Sequence, residues 1–144
     1  MKTPSTLLLA STFAATAIAI AATPLSRQEE QPCVSGLHFI VARASTENPG
    51  YGILTGLVNT LVATIPDSSS IAVDYPATLP DYPESEAKGV AEMTRLIQEY
   101  VAQCGEESKV ALMGYSQGAH VTGDVLCGSD GNEPLSEKYN ANSE

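Results

Sequence analysis

The chain is poor in positive charge. Its 144 residues carry 7 Lys and Arg against 17 Asp and Glu, a formal net charge of −10 at pH 7. A surface of that sign repels a phosphate backbone, which excludes nucleic acid as a partner. Histidine is scarcer, with 2 in the chain, His38 and His120. The sequence has no cluster of residues at metal-ligand spacing, no glycine-rich phosphate loop and no internal repeat. No metal and no other cofactor is therefore expected. No Asn-x-Ser/Thr acceptor occurs, so N-glycosylation is not expected either.

Long apolar runs are also scarce: there is one. Lys2 precedes a charge-free stretch from Leu7 to Ala22, with small residues at Ala17-Ile18-Ala19 and Ala19-Ile20-Ala21. This is the pattern of a secretory signal peptide, and it predicts an extracellular protein. The run is short for a span of about 20 residues and rich in Ala and Thr, so it does not read as a membrane anchor. Nothing else in the chain reads as a membrane segment. Residues 1–22 are thus the leader and 23–32 a polar linker. Residues 33–128 form a domain, and 129–144 a polar tail without periodicity.

Cysteine is limited to 3 residues, Cys33, Cys104 and Cys127. An odd number in an oxidising compartment leaves one without a partner in the chain. Cys33 and Cys104 sit just before two strands that would lie side by side, a placement compatible with a bridge. Cys127 is then either a free thiol or bonded to a partner further on.

What is present is an alternation of strand and helix patterns. Leu37–Ala42 is an apolar run suited to a buried strand. Leu54, Leu57, Val58, Leu61, Val62 and Ile65 recur at helical spacing, which predicts a helix over Tyr51–Ile65. Ile71–Tyr75 reads as a second strand, followed by a proline-rich loop to Pro83. Val90, Met93, Ile97, Tyr100 and Val101 predict a helix over about Ser85–Gln103. Lys109–Tyr115 reads as the third strand, and Ala119–Leu126 as part of a third helix. This order predicts an α/β fold with a parallel sheet and helices on its faces.

Gly114-Tyr115-Ser116-Gln117-Gly118 has the form G-x-S-x-G between a strand and a helix, the context of a nucleophile elbow. The glycines let strand and helix approach closely around a strained serine. The serine then stands at a helix N-terminus, where free N–H groups favour developing negative charge. In a parallel sheet the loops leaving the strand C-termini build the site, so Ser45 and Thr46 are brought toward Ser116. Loop capping is the competing role for both. The acid and base of such a site follow the serine in chain order. His120 is the one histidine after Ser116, and on the nucleophile's own helix it reads as a surface or packing residue, not a base. The chain thus reads as the front part of a serine hydrolase. His38, inside the first strand, reads as a packed, hydrogen-bonded histidine, and Asp74 as a turn residue. Tyr51, Tyr75 and Tyr82 are candidates for lining a groove.

Taken in order, five segments resemble the cutinase and acetylxylan esterase superfamily, carbohydrate esterase family 5. They are Cys33, Ala42-Arg43-Ala44-Ser45-Thr46-Glu47, Asp74-Tyr75-Pro76-Ala77, Cys104 and Gly114-Tyr115-Ser116-Gln117-Gly118. The resemblance covers about residues 32–130, the N-terminal part of such a domain. It implies an α/β-hydrolase-like (cutinase-like) three-layer sandwich, truncated after the elbow helix, with strand order 2-1-3-4-5. It implies Ser116 as nucleophile, Ser45 and the Gln117 N–H as the oxyanion hole, and a Cys33–Cys104 disulfide. Asp124-Val125-Leu126-Cys127-Gly128 is similar to the acetylxylan esterase branch, where that cysteine bonds to a later one. The implied activity is hydrolysis of an ester on plant cell-wall polysaccharide, with cutin or short aliphatic esters as the alternative. The implied state is a monomer when complete, and an aggregation-prone chain as it stands, because the third strand lacks a covering neighbour. The other readings are a secreted, catalytically inactive wall-binding protein and a truncated fragment.

Overall fold

The computed structural model describes residues 31–128. The leader, most of the linker and the polar tail lie outside them. Three parallel strands, β1 (His38–Ala42), β2 (Ser69–Ala72) and β3 (Val110–Gly114), form one sheet in the order β2-β1-β3. The helices are α1 (Thr55–Thr64), entered through a 3-10 turn at Gly52–Leu54, α2 (Tyr82–Cys104) and α3 (Gln117–Cys127). The fold is α/β and hydrolase-like, in three layers.

β1 lies between its two neighbours, and all five of its residues are buried. That is why it reads as an uninterrupted apolar run and not as an alternation. Its alternate residues feed opposite faces of the sheet. Ile40 and Ala42 join Val73, Tyr75, Met93, Ile97, Val121 and Val125 in the larger core, built against α2 and α3. Phe39 and Val41 join Val58 in a smaller one, under α1. Each fully buried aliphatic side chain here contributes about 1.5–3 kcal/mol from area removed from water.

Three elements differ from the sequence reading. α1, expected from Tyr51, starts at Thr55 after the 3-10 turn. The second strand is expected at Ile71–Tyr75, yet β2 starts at Ser69 and stops at Ala72. The two serines are usable in a strand because their hydroxyls have partners. Ser69 Oγ lies 2.8 Å from His38 Nδ1, and Ser70 Oγ lies 2.9 Å from Tyr51 Oη. Beyond Ala72, the Val73 and Tyr75 carbonyls accept from the Arg43 guanidinium. α2 begins at Tyr82 and not at Ser85, because Pro83 sits in the first turn, where no N–H is needed. The disulfide forms as the resemblance implies: Cys33 and Cys104 are bonded across a separation of 71 residues. Cys127 is a free, exposed thiol among the described residues. No described helix is long and apolar enough to cross a membrane.

Candidate active site

β3 ends at Gly114 and α3 starts at Gln117, leaving two residues for the turn. Ser116 absorbs it with φ 54° and ψ −117°. That is a left-handed φ on a residue with a Cβ, a strain of order 1–3 kcal/mol. Close packing holds it in place. A Cβ on Gly114 would run into the Gly118 backbone, and one on Gly118 into the carbonyls of Ala42 and Arg43. Ser116 is exposed at the N-cap of α3, and its hydroxyl does not cap the helix. Gly118 N–H donates to Tyr115 O, and Ala119 and His120 N–H donate to Ser116 O. The Gln117 N–H has no acceptor among the described residues. The elbow therefore presents an unused hydroxyl beside an unused donor.

The β1 loop meets this turn directly. Tyr115 N–H donates to Ala42 O at 3.3 Å, next to the Gly118 contact. Arg43 shapes the loop. It is buried, with Nε donating to Glu47 O at 3.0 Å and Nη1 to Val73 O at 3.3 Å. Its guanidinium also lies over the Tyr75 ring, 5.0 Å from the centroid. Tyr75 in turn donates its hydroxyl to Arg43 O. Burial pushes the Tyr75 phenol up to about 12, so it remains a donor throughout the physiological range. Glu47 accepts at 2.7 Å from both Ala44 N–H and Ile53 N–H. Between these anchors Ser45 is half-buried, and neither its hydroxyl nor its N–H has a partner among the described residues.

The third contribution comes from the loop after β2. Gln117 is buried, its Nε2 donating to Thr78 O at 3.2 Å. Ser85 Oγ accepts from Thr78 N–H at 3.0 Å and lies 3.4 Å from Gln117 Oε1. The Gln117 side chain is thus fixed by the loop that leads into α2. Thr46 N–H donates to Ala77 O at 2.7 Å, which ties the loops after β1 and β2 together.

The structure thus brings Ser116, Ser45 and Gln117 to the same end of the sheet. His38 is buried, bonded to Ser69 and stacked on Tyr100 with centroids 3.9 Å apart. Burial lowers its pKa. His120 is exposed. Its Nδ1 lies 3.2 Å from Tyr82 Oη and its Nε2 3.6 Å from Asp124 Oδ2. Neither histidine is bonded to Ser116. Asp74 is exposed and makes no side-chain bond among the described residues. Of the groove tyrosines, Tyr75 is a core residue. Tyr51 lines an open depression with residues 46–50, and Tyr82 packs on His120.

Arg43, Glu47 and Ser85 position the site, and the sequence reading gave none of them that role. The available signal was Arg43 and Glu47 flanking Ser45 straight after the apolar run Phe39–Ala42. A charge buried there requires partners.

A serine on a strained strand-to-helix turn, over the C-terminal edge of a parallel sheet, defines an α/β-hydrolase-type fold. Residues 33–143 match the family model described as Cutinase, and the chain belongs to that family. Acetylxylan esterase 2 of Talaromyces purpureogenus is 33% identical over 125 residues, 81% of this chain and 53% of that protein. Cutinase 11 of Verticillium dahliae is 31% identical over 107 residues, 69% of this chain and 36% of that protein. Among solved structures, the catalytic core domain of acetyl xylan esterase from Trichoderma reesei superposes with a TM-score of 0.62 at 29% identity, covering 67% of this chain and 49% of that one. The chain spans about half the length, or less, of the curated relatives it matches.

Proposed function

We propose that this chain carries the nucleophile half of a secreted serine esterase that removes acetyl groups from plant cell-wall polysaccharide. The observation that carries the reading is the strained Ser116, with its free hydroxyl beside the unbonded Gln117 N–H. Ser116 Oγ attacks the ester carbonyl. The resulting oxyanion is held by the Gln117 N–H and by Ser45. A base accepts the Ser116 proton and returns it to the leaving oxygen, so collapse releases the alcohol and leaves an acetylated serine. Acetyl as the acyl group is supported by the acetylxylan esterase names among the relatives, and a cutin-type aliphatic ester by the cutinase name. Export is supported by the leader pattern at 1–22 and by the Cys33–Cys104 bond, since such bonds persist in oxidising compartments.

The test supplies the base from solution. Without it, the 23–144 polypeptide is expected to hydrolyse nitrophenyl acetate no faster than its Ser116→Ala variant, because no described base touches Ser116. With imidazole added, wild-type turnover should rise above that of Ser116→Ala, and mass spectrometry should find acetyl on Ser116. Equal rates for the two proteins, or acetylation elsewhere only, would overturn the assignment. Nitrophenyl butyrate run beside the acetate separates the two acyl readings.

A further inference from the structure

The sequence shows no metal-ligand cluster because Glu86 is 34 residues from His120 and only the His120–Asp124 pair is local. Folding brings them together. Glu86 lies on the first turns of α2, and His120 and Asp124 stand one turn apart on α3. One ligand atom from each lies within 4.8 Å of the other two. Glu86 is only 9% exposed, and its Oε1 is buried without a hydrogen-bond partner. A buried carboxylate oxygen left unpaired beside a second carboxylate costs free energy unless a proton or a cation joins them. Burial and the neighbouring Asp124 push the Glu86 carboxyl up, and a divalent ion would take the place of that proton. No described Lys or Arg pairs with Glu86 or Asp124, since the described cations of α2 are taken by Glu84, Glu92 and Glu99.

We propose that Glu86, His120 and Asp124 bind one divalent transition-metal ion, with Zn2+ as the preferred occupant, clamping α2 to α3 just below the elbow. One imidazole and two carboxylates suit zinc, with a fourth position left to water. Bonds of about 2.0–2.1 Å give a tetrahedral edge near 3.4 Å. His120 Nε2 and Asp124 Oδ2 already stand 3.6 Å apart. Tyr82 supplies the outer contact that orients a metal-bound imidazole. With Nε2 on the metal, Nδ1–H donates to the Tyr82 hydroxyl 3.2 Å away. The His120 side chain is 52% exposed, which leaves an entry path. The ion serves as a brace for the helix that carries Ser116, so the proposal does not depend on the esterase reading.

The test titrates the full chain, carrying Cys127→Ser to remove the exposed thiol, with Co2+ as a visible probe and Zn2+ as competitor. One equivalent of Co2+ should bind, be displaced by Zn2+, and raise the melting temperature. His120→Ala should weaken binding about 100-fold and Tyr82→Phe about 10-fold. Glu86→Gln keeps the buried shape while removing the charge, and should also bind at least about 10-fold more weakly. His120 is exposed, so its variant should fold and decides the matter even if Glu86→Gln does not. No saturable binding by the parent, or binding by His120→Ala within about 2-fold of it, would overturn the site.

Discussion

β1 and β3 are equally long, largely apolar (β1 carries one histidine, His38) and hydrogen-bonded to each other, yet they live in different surroundings. All five β1 residues are buried, while all five of β3 are only partly so. Ile40 and Leu112 are direct partners in register and belong to the same core, with Ile40 at 0% exposure and Leu112 half-buried. The difference is one neighbour. β1 is bonded on both sides, and β3 on one side among the described residues. An apolar sequence therefore does not fix burial; position in the sheet does. The turn that carries Ser116 grows from the less protected strand, and its rigidity has to come from contacts with the protected one.

The largest blow to that arrangement should come from the bond ahead of both strands. Cys33→Ser with Cys104→Ser opens a separation of 71 residues. The loss should be about 4 kcal/mol on the loop-entropy account. Urea melts of oxidised and doubly substituted protein measure it, and a difference under about 1 kcal/mol would contradict that account. Next, Ile40→Ala should cost about 3.5 kcal/mol and Leu112→Ala about 2. Equal losses would mean that β3 is covered in solution as fully as β1. Gly118→Ala strikes the junction itself, because the new methyl meets backbone carbonyls of the β1 loop. About 3 kcal/mol should be lost, and with it the capacity of Ser116 to be acetylated.

The smallest effect is a pH dependence confined to β1. Burial lowers the His38 pKa, so between its folded value and 6.5 the unfolded chain binds more protons than the folded one. Stability should therefore fall as pH drops below about 6.5, by at most about 1.4 kcal/mol per pH unit, and level off below the folded value. A His38→Gln variant should lose this component of the slope. An unchanged slope would place the titration elsewhere.

Helical spacing at Val90, Met93, Ile97 and Tyr100 was enough to find α2, because those residues all face the core. The elbow was legible for a similar reason: glycine is the one residue that fits at 114 and 118. β2 was misplaced because its first two residues are serines, made strand-compatible by side chains from distant positions. The part played by Arg43 was hidden because two of its three acceptors are carbonyls 30 and 32 residues away, and any residue type can provide a carbonyl. Glu86 was hidden for the same reason, since only the packing of α2 on α3 brings it to the His120–Asp124 pair.

Glu47 has a consequence for how the rim of this site can change. Its carboxylate holds Ala44 N–H on one side and Ile53 N–H on the other. The segment from Asn48 to Gly52 is a short span whose two ends are pinned by one side chain. Doubling such a span costs only about 0.6 kcal/mol in chain entropy. Insertions there can reshape the open depression lined by residues 46–52 while Ser45 and the elbow keep their positions. The clasp separates the elbow and the Ser45 loop, which close packing holds fixed, from a span free to vary in length.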